Sequence, residues 1–339
     1  MSRWKTALCL LLLAALAPLL PRLRGVLPTN RQALIEAKYG GWSGVLRLWV
    51  CEGWQPGSGS FAGWLNRCVA AFEKRHPGVY VQAESVDAAT LSGWDEGGLS
   101  PDLLLFPPGV LASPRNLAPL DAPESLRAGL RRAGDWRGAC CALPVAMGGY
   151  AVLRSSAEGD CVAPEDDAFH RRHTALRYLP AQAEAPESSA RPVLPELDLG
   201  LPASAQSAGA DWTVSADAWK DFANGDAAGL LVTPRELRRL EALSVQGRGP
   251  DWRLASTSRF TDLLLFAAVS AQGDAERQAL GAAFAASLLE DACQGELYRA
   301  GAFAVTGATS GYAAGDSLGA MEAMLREAEP VAARAFGME

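Results

Sequence analysis

The chain has 339 residues, 49% of them apolar and 20% charged, with 31 Lys and Arg against 38 Asp and Glu for a formal net charge of −7. That length suits two domains or one large one and can bury a sizeable core; the apolar content excludes general disorder. Residues 1–31 hold five basic residues and no acid, which leaves 26 basic and 38 acidic residues (−12) for the remainder, a body with no electrostatic reason to seek nucleic acid.

Arg3 and Lys5 precede an apolar run from Ala7 to Leu20. A basic start followed by a run of that length is the pattern of a secretory signal and is short for a spanning helix. Ala15-Leu16-Ala17 supplies small residues for cleavage, but Pro18 follows at once, so an uncleaved anchor is the alternative. Residues 1–31 are therefore expected to be a signal peptide or N-terminal membrane anchor, and the body to be extracytoplasmic, in a periplasm or at the cell surface. Cys9 has Leu8 before it where a lipidated cysteine wants a small residue. Beyond Cys9 lie six cysteines, Cys51, Cys68, Cys140, Cys141, Cys161 and Cys293. Outside the cytosol they can pair in 15 ways, and none has zinc-site spacing.

Val45 to Cys51 reads as a buried strand and is followed by the turn-forming run Gly53 to Ser60. Phe61, Trp64, Leu65, Cys68, Val69 and Phe72 recur at helical spacing, and Pro77-Gly78 ends that helix. Val79–Val86 and Leu103–Phe106 are expected strands, Pro123–Arg132 a helix, and Leu143–Leu153 a strand kinked by Gly148-Gly149. From Ser155 to about Asp211 the composition shifts to Pro, Ala, Ser and Glu with little periodicity, and 181–209 reads as a flexible insertion. Order returns with a helix after Ser215 that stops at Asn224-Gly225, a strand Gly229–Thr233, and a helix opened by Thr233-Pro-Arg-Glu236. That last pattern is a capping box with Pro at the first helical position. The apolar run Phe260–Val269, a helix Asp274–Leu289, a short helix to Ala300, a strand Phe303–Val305 and a final helix from about Ser317 to Ala335 follow. Strands alternating with helices argue for mostly parallel sheets covered by helices.

Four stretches occur in the order of a known family. They are Phe72-Glu-Lys-Arg-His-Pro-Gly-Val-Tyr-Val81; Pro101-Asp-Leu-Leu-Leu105 with Leu117-Ala-Pro-Leu-Asp121; Gly138-Ala-Cys-Cys-Ala-Leu-Pro144 leading to Tyr150-Ala-Val-Leu153; and Trp219-Lys-Asp-Phe-Ala-Asn-Gly-Asp-Ala-Ala-Gly229. In these the chain resembles the extracellular solute-binding proteins of the family 1 type, the sugar-type binding components of ABC importers. The resemblance implies an α/β, two-lobe, periplasmic-binding-protein-like fold of type 2, with ligand in the interlobe cleft. Lobe 1 would comprise 44–145 and 255–310, and lobe 2, reduced, 146–254 and 311–339. It also implies a small polar ligand such as a carbohydrate, permease subunits of an ABC transporter as partners, and no cofactor; the membrane would be met only through the N-terminal segment. The alternative is a degenerate relative that acts as a surface sensor or interaction protein without a transport role.

Parallel α/β sheets place ligand loops at the carboxyl ends of their strands. After the first strand, Glu52, Trp54 and Gln55 could offer a stacking face and hydroxyl-binding groups. Trp94 and Trp212 are further stacking candidates in irregular segments. The resemblance puts Tyr150, with Met147 nearby, at the crossover. Thr233 and Arg235 flank a helix N-terminus that offers free N–H donors. His170-Arg-Arg-His173 reads as solvated surface rather than a metal site. The sequence has no Gly-x-Ser-x-Gly elbow, P-loop or GxGxxG motif, and the chain is read as not an enzyme.

Overall fold

The computed structural model describes residues 42–95, 100–157, 159–165, 172–179, 212–327 and 330–337. The expected export segment 1–31, Cys9, the segment 181–209 and His170 lie outside these residues. No helix among the described residues is long and apolar enough to cross a membrane.

Strand β1 (Gly44–Val50) runs into helix α1 (Ala62–Arg75) and returns as β2 (Val79–Ser85). A parallel pair cannot be closed by a tight turn, and α1 is the crossover that the pairing Gly44↔Val79 to Val50↔Ser85 requires. Its apolar residues Trp64, Leu65, Cys68 and Phe72 recur every three or four positions and form one buried face, while Lys74 and Arg75 meet the negative end of the helix dipole. The short helix α2 (Ala88–Ser92) is capped by Asp87, which accepts the Thr90 N–H at 2.7 Å. It leads to β3 (Leu103–Phe106), whose four residues are all buried, as suits a strand covered on both faces.

Residues Pro123–Arg132 are not the expected helix. Only a 3-10 turn forms at Ala128–Leu130, because the segment's backbone is engaged elsewhere. Leu126 bridges to Thr306, and the Arg127 N–H donates to the Val305 carbonyl. The small hairpin β4 (Asp135–Trp136) and β5 (Ala139–Cys140) precedes β6 (Leu143–Met147).

The expected kinked strand Leu143–Leu153 is two strands in two different sheets. After Gly148-Gly149 the chain enters the second sheet as β7 (Ala151–Ser155) and continues with β8 (Cys161–Pro164), α3 (Arg172–Arg177), β9 (Trp212–Ser215), α4 (Ala218–Asn224), β10 (Gly229–Val232), α5 (Pro234–Val245) and β11 (Trp252–Thr257). Strand β8 and helix α3 fall within the stretch that shows little periodicity, and β9 begins just after it. Each strand is four residues long, too short for an alternation to register.

The chain then returns as β12 (Phe260–Thr261) and β13 (Leu264–Val269), followed by α6 (Ala275–Ser287), α7 (Asp291–Gln294), α8 (Ser317–Glu327) and β14 (Val331–Ala332). Residues 303–305 form only the isolated bridge Met147↔Phe303, and the final helix stops at Glu327 rather than Ala335.

The first sheet has the order β2-β1-β3-β13-β6, and the second β11-β7-β10-β8-β9. In each, three strands run parallel (β2-β1-β3 and β10-β8-β9), and one that has crossed from the other side, β13 or β7, is inserted antiparallel. The two crossings, 148–150 and 258–263, are tied to each other. The Gly148 N–H donates to the Leu263 carbonyl at 2.6 Å, and Thr261 Oγ1 donates to the Gly148 carbonyl at 2.9 Å. The Tyr150 hydroxyl donates to Asp262 Oδ1 at 2.7 Å, and the Ser258 N–H donates to the Tyr150 carbonyl.

Candidate functional site

A cleft of about 640 Å³ opens between the two sheets, lined by Glu52, Trp54 and Gln55 from the loop after β1, by Arg172 of α3, by Thr233, Arg235, Glu236 and Arg239 at the start of α5, and by Leu263 of the return crossing. It therefore lies at the carboxyl ends of β1 and β10, where an α/β sheet leaves loop backbone and helix N-termini open. Its size suits a small ligand.

Of the residues expected at a ligand site, Glu52, Trp54, Gln55, Thr233 and Arg235 come together here. Trp54 does so without offering a stacking face. It is 3% exposed, its indole N–H donates to the Leu264 carbonyl at 3.1 Å, and its ring meets Phe61 edge-on at 5.1 Å. The other four lie elsewhere. Met147 and Tyr150 are fully buried in the crossing, where Tyr150 ties the hinge through Asp262. Trp94 is 3% exposed in the core of the first lobe, and Trp212 lies on β9, the edge strand of the second sheet. Tryptophan rings are highly buried on average, and Trp94 follows that rule while Trp212 is half-buried.

The wall from α5 is built by its capping box. Glu236 accepts the Thr233 N–H at 2.7 Å with Oε2, and the same carboxylate receives Arg172 through both guanidinium nitrogens, at 3.1 and 2.8 Å. Arg172, only 8% exposed, also lies over the Tyr150 ring, so α3, α5 and the hinge meet at one ion pair. Sequence reasoning recognised Glu236 as a cap and missed its second role. It also missed Arg172, Arg239 and Leu263, although Arg239, four residues after Arg235, shares its helix face.

Arg172 and Glu236 offset each other. Arg235 and Arg239 are exposed, and no carboxylate among the described residues pairs with either; Arg239 instead stacks on the Trp219 ring at 4.2 Å. Glu52 is half-buried, and its Oε1 accepts the Phe61 N–H at 2.9 Å. Burial pushes its carboxyl above the ordinary range, partly offset by that N–H. The folded chain thus holds the Glu52 proton more tightly than the unfolded chain, so stability falls as pH rises through the shifted value. Glu52→Gln keeps an acceptor for Phe61 without the buried charge. It is expected to melt above the parent at pH 7, with the difference vanishing near pH 4, at about the unfolded carboxylate value, as thermal unfolding across pH would show.

Asp102 stands apart from the cleft. It accepts the Arg47 N–H at 2.7 Å and pairs with Arg277, which pins the start of β3 to α6. Among the described residues no cluster of three or more His, Cys, Asp or Glu could hold a metal ion.

No protein-family model matches the sequence, and no curated protein matches it either. Solved structures match over most of the chain. The GacH receptor of Streptomyces glaucescens, described unliganded and with acarbose, aligns with a TM-score of 0.54 at 13% identity, covering 87% of this chain and 89% of that one. The maltodextrin-binding protein MalE1 of L. casei aligns with a TM-score of 0.54 at 15% identity over 88% and 89%. UgpB of Mycobacterium tuberculosis, in complex with glycerophosphocholine, aligns with a TM-score of 0.54 at 14% identity over 86% and 88%. Strand order, the paired crossings and these similarities agree: the chain has the α/β, two-lobe fold of the periplasmic binding proteins.

Proposed function

We propose that this chain is an extracytoplasmic solute-binding protein of the family 1 type that captures a small polar ligand in the interlobe cleft and delivers it to an ABC importer. One observation carries the reading: a roomy cleft at the carboxyl ends of β1 and β10 whose walls come from opposite sides of a two-stranded crossing. Ligand bound there would bridge both walls and favour hinge closure. Structures of this fold supply precedents in ligands as different as acarbose and glycerophosphocholine.

The lining narrows the ligand class. Oligosaccharide grooves stack sugar faces on exposed aromatic rings, and among the described residues that line this cleft the one aromatic, Trp54, is closed into the core. Beside Glu52 and the paired Glu236, the cleft is lined by Gln55 and by Arg235 and Arg239, and no carboxylate among the described residues pairs with either of those two arginines. A hydroxylated ligand with a carboxylate or phosphate group suits that set better than a neutral glucan. Thermal-shift measurement with maltotriose, glucuronate, glycerol 3-phosphate and inorganic phosphate tests this. Stabilisation by an anionic member, weakened at least tenfold in affinity by Arg235→Ala with Arg239→Ala, is the expected result. Stabilisation by maltotriose alone would overturn the ligand class. A cleft that takes nothing would instead favour an interaction protein without a transport role.

A further inference from the structure

Six cysteines lie among the described residues, and five of the six are buried. Cys140 and Cys141 direct their thiols at carbonyls of their own hairpin, those of Ala142 and Ala139, and the Cys161 sulfur receives Arg154 at 2.7 Å. Cys51 is buried at the end of β1, near the acidic side chain of Asp87. Cys68 differs. It lies on the buried face of α1, 2% exposed, beside Cys293 of α7, 4% exposed, and the nearness of Cys293 raises its thiol most.

The two segments that carry these cysteines are held together from both sides. One turn before Cys68, the Trp64 indole N–H donates to the carbonyl of Cys293 itself at 2.8 Å. Beside it Arg67 pairs with Glu296 at 3.1 Å, and two turns on Arg75 pairs with Glu290 at 2.6 Å. These three contacts fix α1 against residues 290–296 with the thiol pair between them. No other pair of described cysteines has comparable support.

We propose that Cys68 and Cys293 form a disulfide in the mature protein, fastening the late segment of the first lobe to its first helix. The inference is independent of the ligand and uses no residue of the cleft. It requires only an oxidising compartment, which the N-terminal sequence points to. One of the two cysteines, as thiolate, attacks one sulfur of a disulfide-bearing oxidant, oxidised glutathione or a thiol–disulfide oxidoreductase, and expels the oxidant's other sulfur as thiolate. The second cysteine, deprotonated, then attacks the sulfur of the first and releases the oxidant's second sulfur. Two cysteines lose two electrons and two protons, and one oxidant disulfide becomes two thiols. Both sulfurs are inaccessible once packed, so the reaction belongs to folding rather than to the finished protein.

The full chain, recovered from the periplasm of a bacterial host, is denatured with iodoacetamide, digested without reductant and mapped by mass spectrometry. The expected result is one cross-linked peptide joining Cys68 to Cys293, with the other cysteines alkylated. Reduction should lower Tm by roughly 5 °C or more, since the bond closes a loop of more than 200 residues. Cys68→Ser and Cys293→Ser should each abolish that response while Cys51→Ser leaves it. Refolding the reduced chain in a glutathione redox buffer separates the chemistry from delivery to the compartment. Alkylation of both Cys68 and Cys293 after that refolding, or either one paired to a different cysteine, would overturn the proposal.

Discussion

Replacing Glu322 with alanine is expected to cost about 3–5 kcal/mol of stability, as read by chemical denaturation. Glu322 lies on α8, 2% exposed. Its Oε1 accepts the Ala304 N–H at 3.2 Å and Arg326 Nη2 at 3.1 Å, and lies 4.0 Å from Arg127 Nη2. Arg127 already shows the strain of the site: burial, then the like charge of Arg326, pull its guanidinium down to about 10. Removing this carboxylate leaves the buried Arg127 beside the like charge of Arg326 with only backbone carbonyls as described partners, and deprives Ala304 of its acceptor. Glu322→Gln, which keeps the acceptor and loses the charge, should fall between. The triple replacement of Arg127, Glu322 and Arg326 by methionine should cost less than the alanine alone, because it removes the charges together. A Glu322→Ala protein as stable as the parent would refute this account.

Trp54→Ala is expected to lose about 3–5 kcal/mol as well, with a different second effect. The ring packs on Phe61 and lies against Gly148, where an added Cβ would come within 2.9 Å of it. Its removal opens a hole beneath the cleft and orphans the Leu264 carbonyl. Trp54→Phe should recover much of the packing but not the hydrogen bond. A residue that merely stacked on ligand would give the opposite outcome, unchanged stability with lost affinity. Measuring both quantities on one sample separates the two.

These two residues also mark what the sequence could reveal. Periodicity placed α1, α5 and α6 within a few residues, since each has one apolar stripe and a recognisable stop or cap. Thr233-Pro-Arg-Glu236 announced the start of α5 and hence one wall of the cleft. The floor was harder. Nothing local distinguishes a tryptophan that faces solvent from one closed into the core; that is decided by Gly148 and Leu264, which the fold brings from far along the chain. Arg172 was invisible for the same reason. Its meaning comes from Glu236, 64 positions later, across a stretch with no periodic signal. The double glycine at 148–149 read as a kink within one strand, whereas it is where the chain changes sheets.

The place of β13 has a consequence in time. It is inserted between β3 and β6, with Phe106 beside Phe266, about 160 residues later. At ordinary synthesis rates those partners leave the ribosome on the order of 10 s apart. The first lobe cannot complete its sheet in that interval, and its nucleus must wait for contacts of high sequence separation. Until β13 arrives, β3 and β6 each keep one edge without its partner strand.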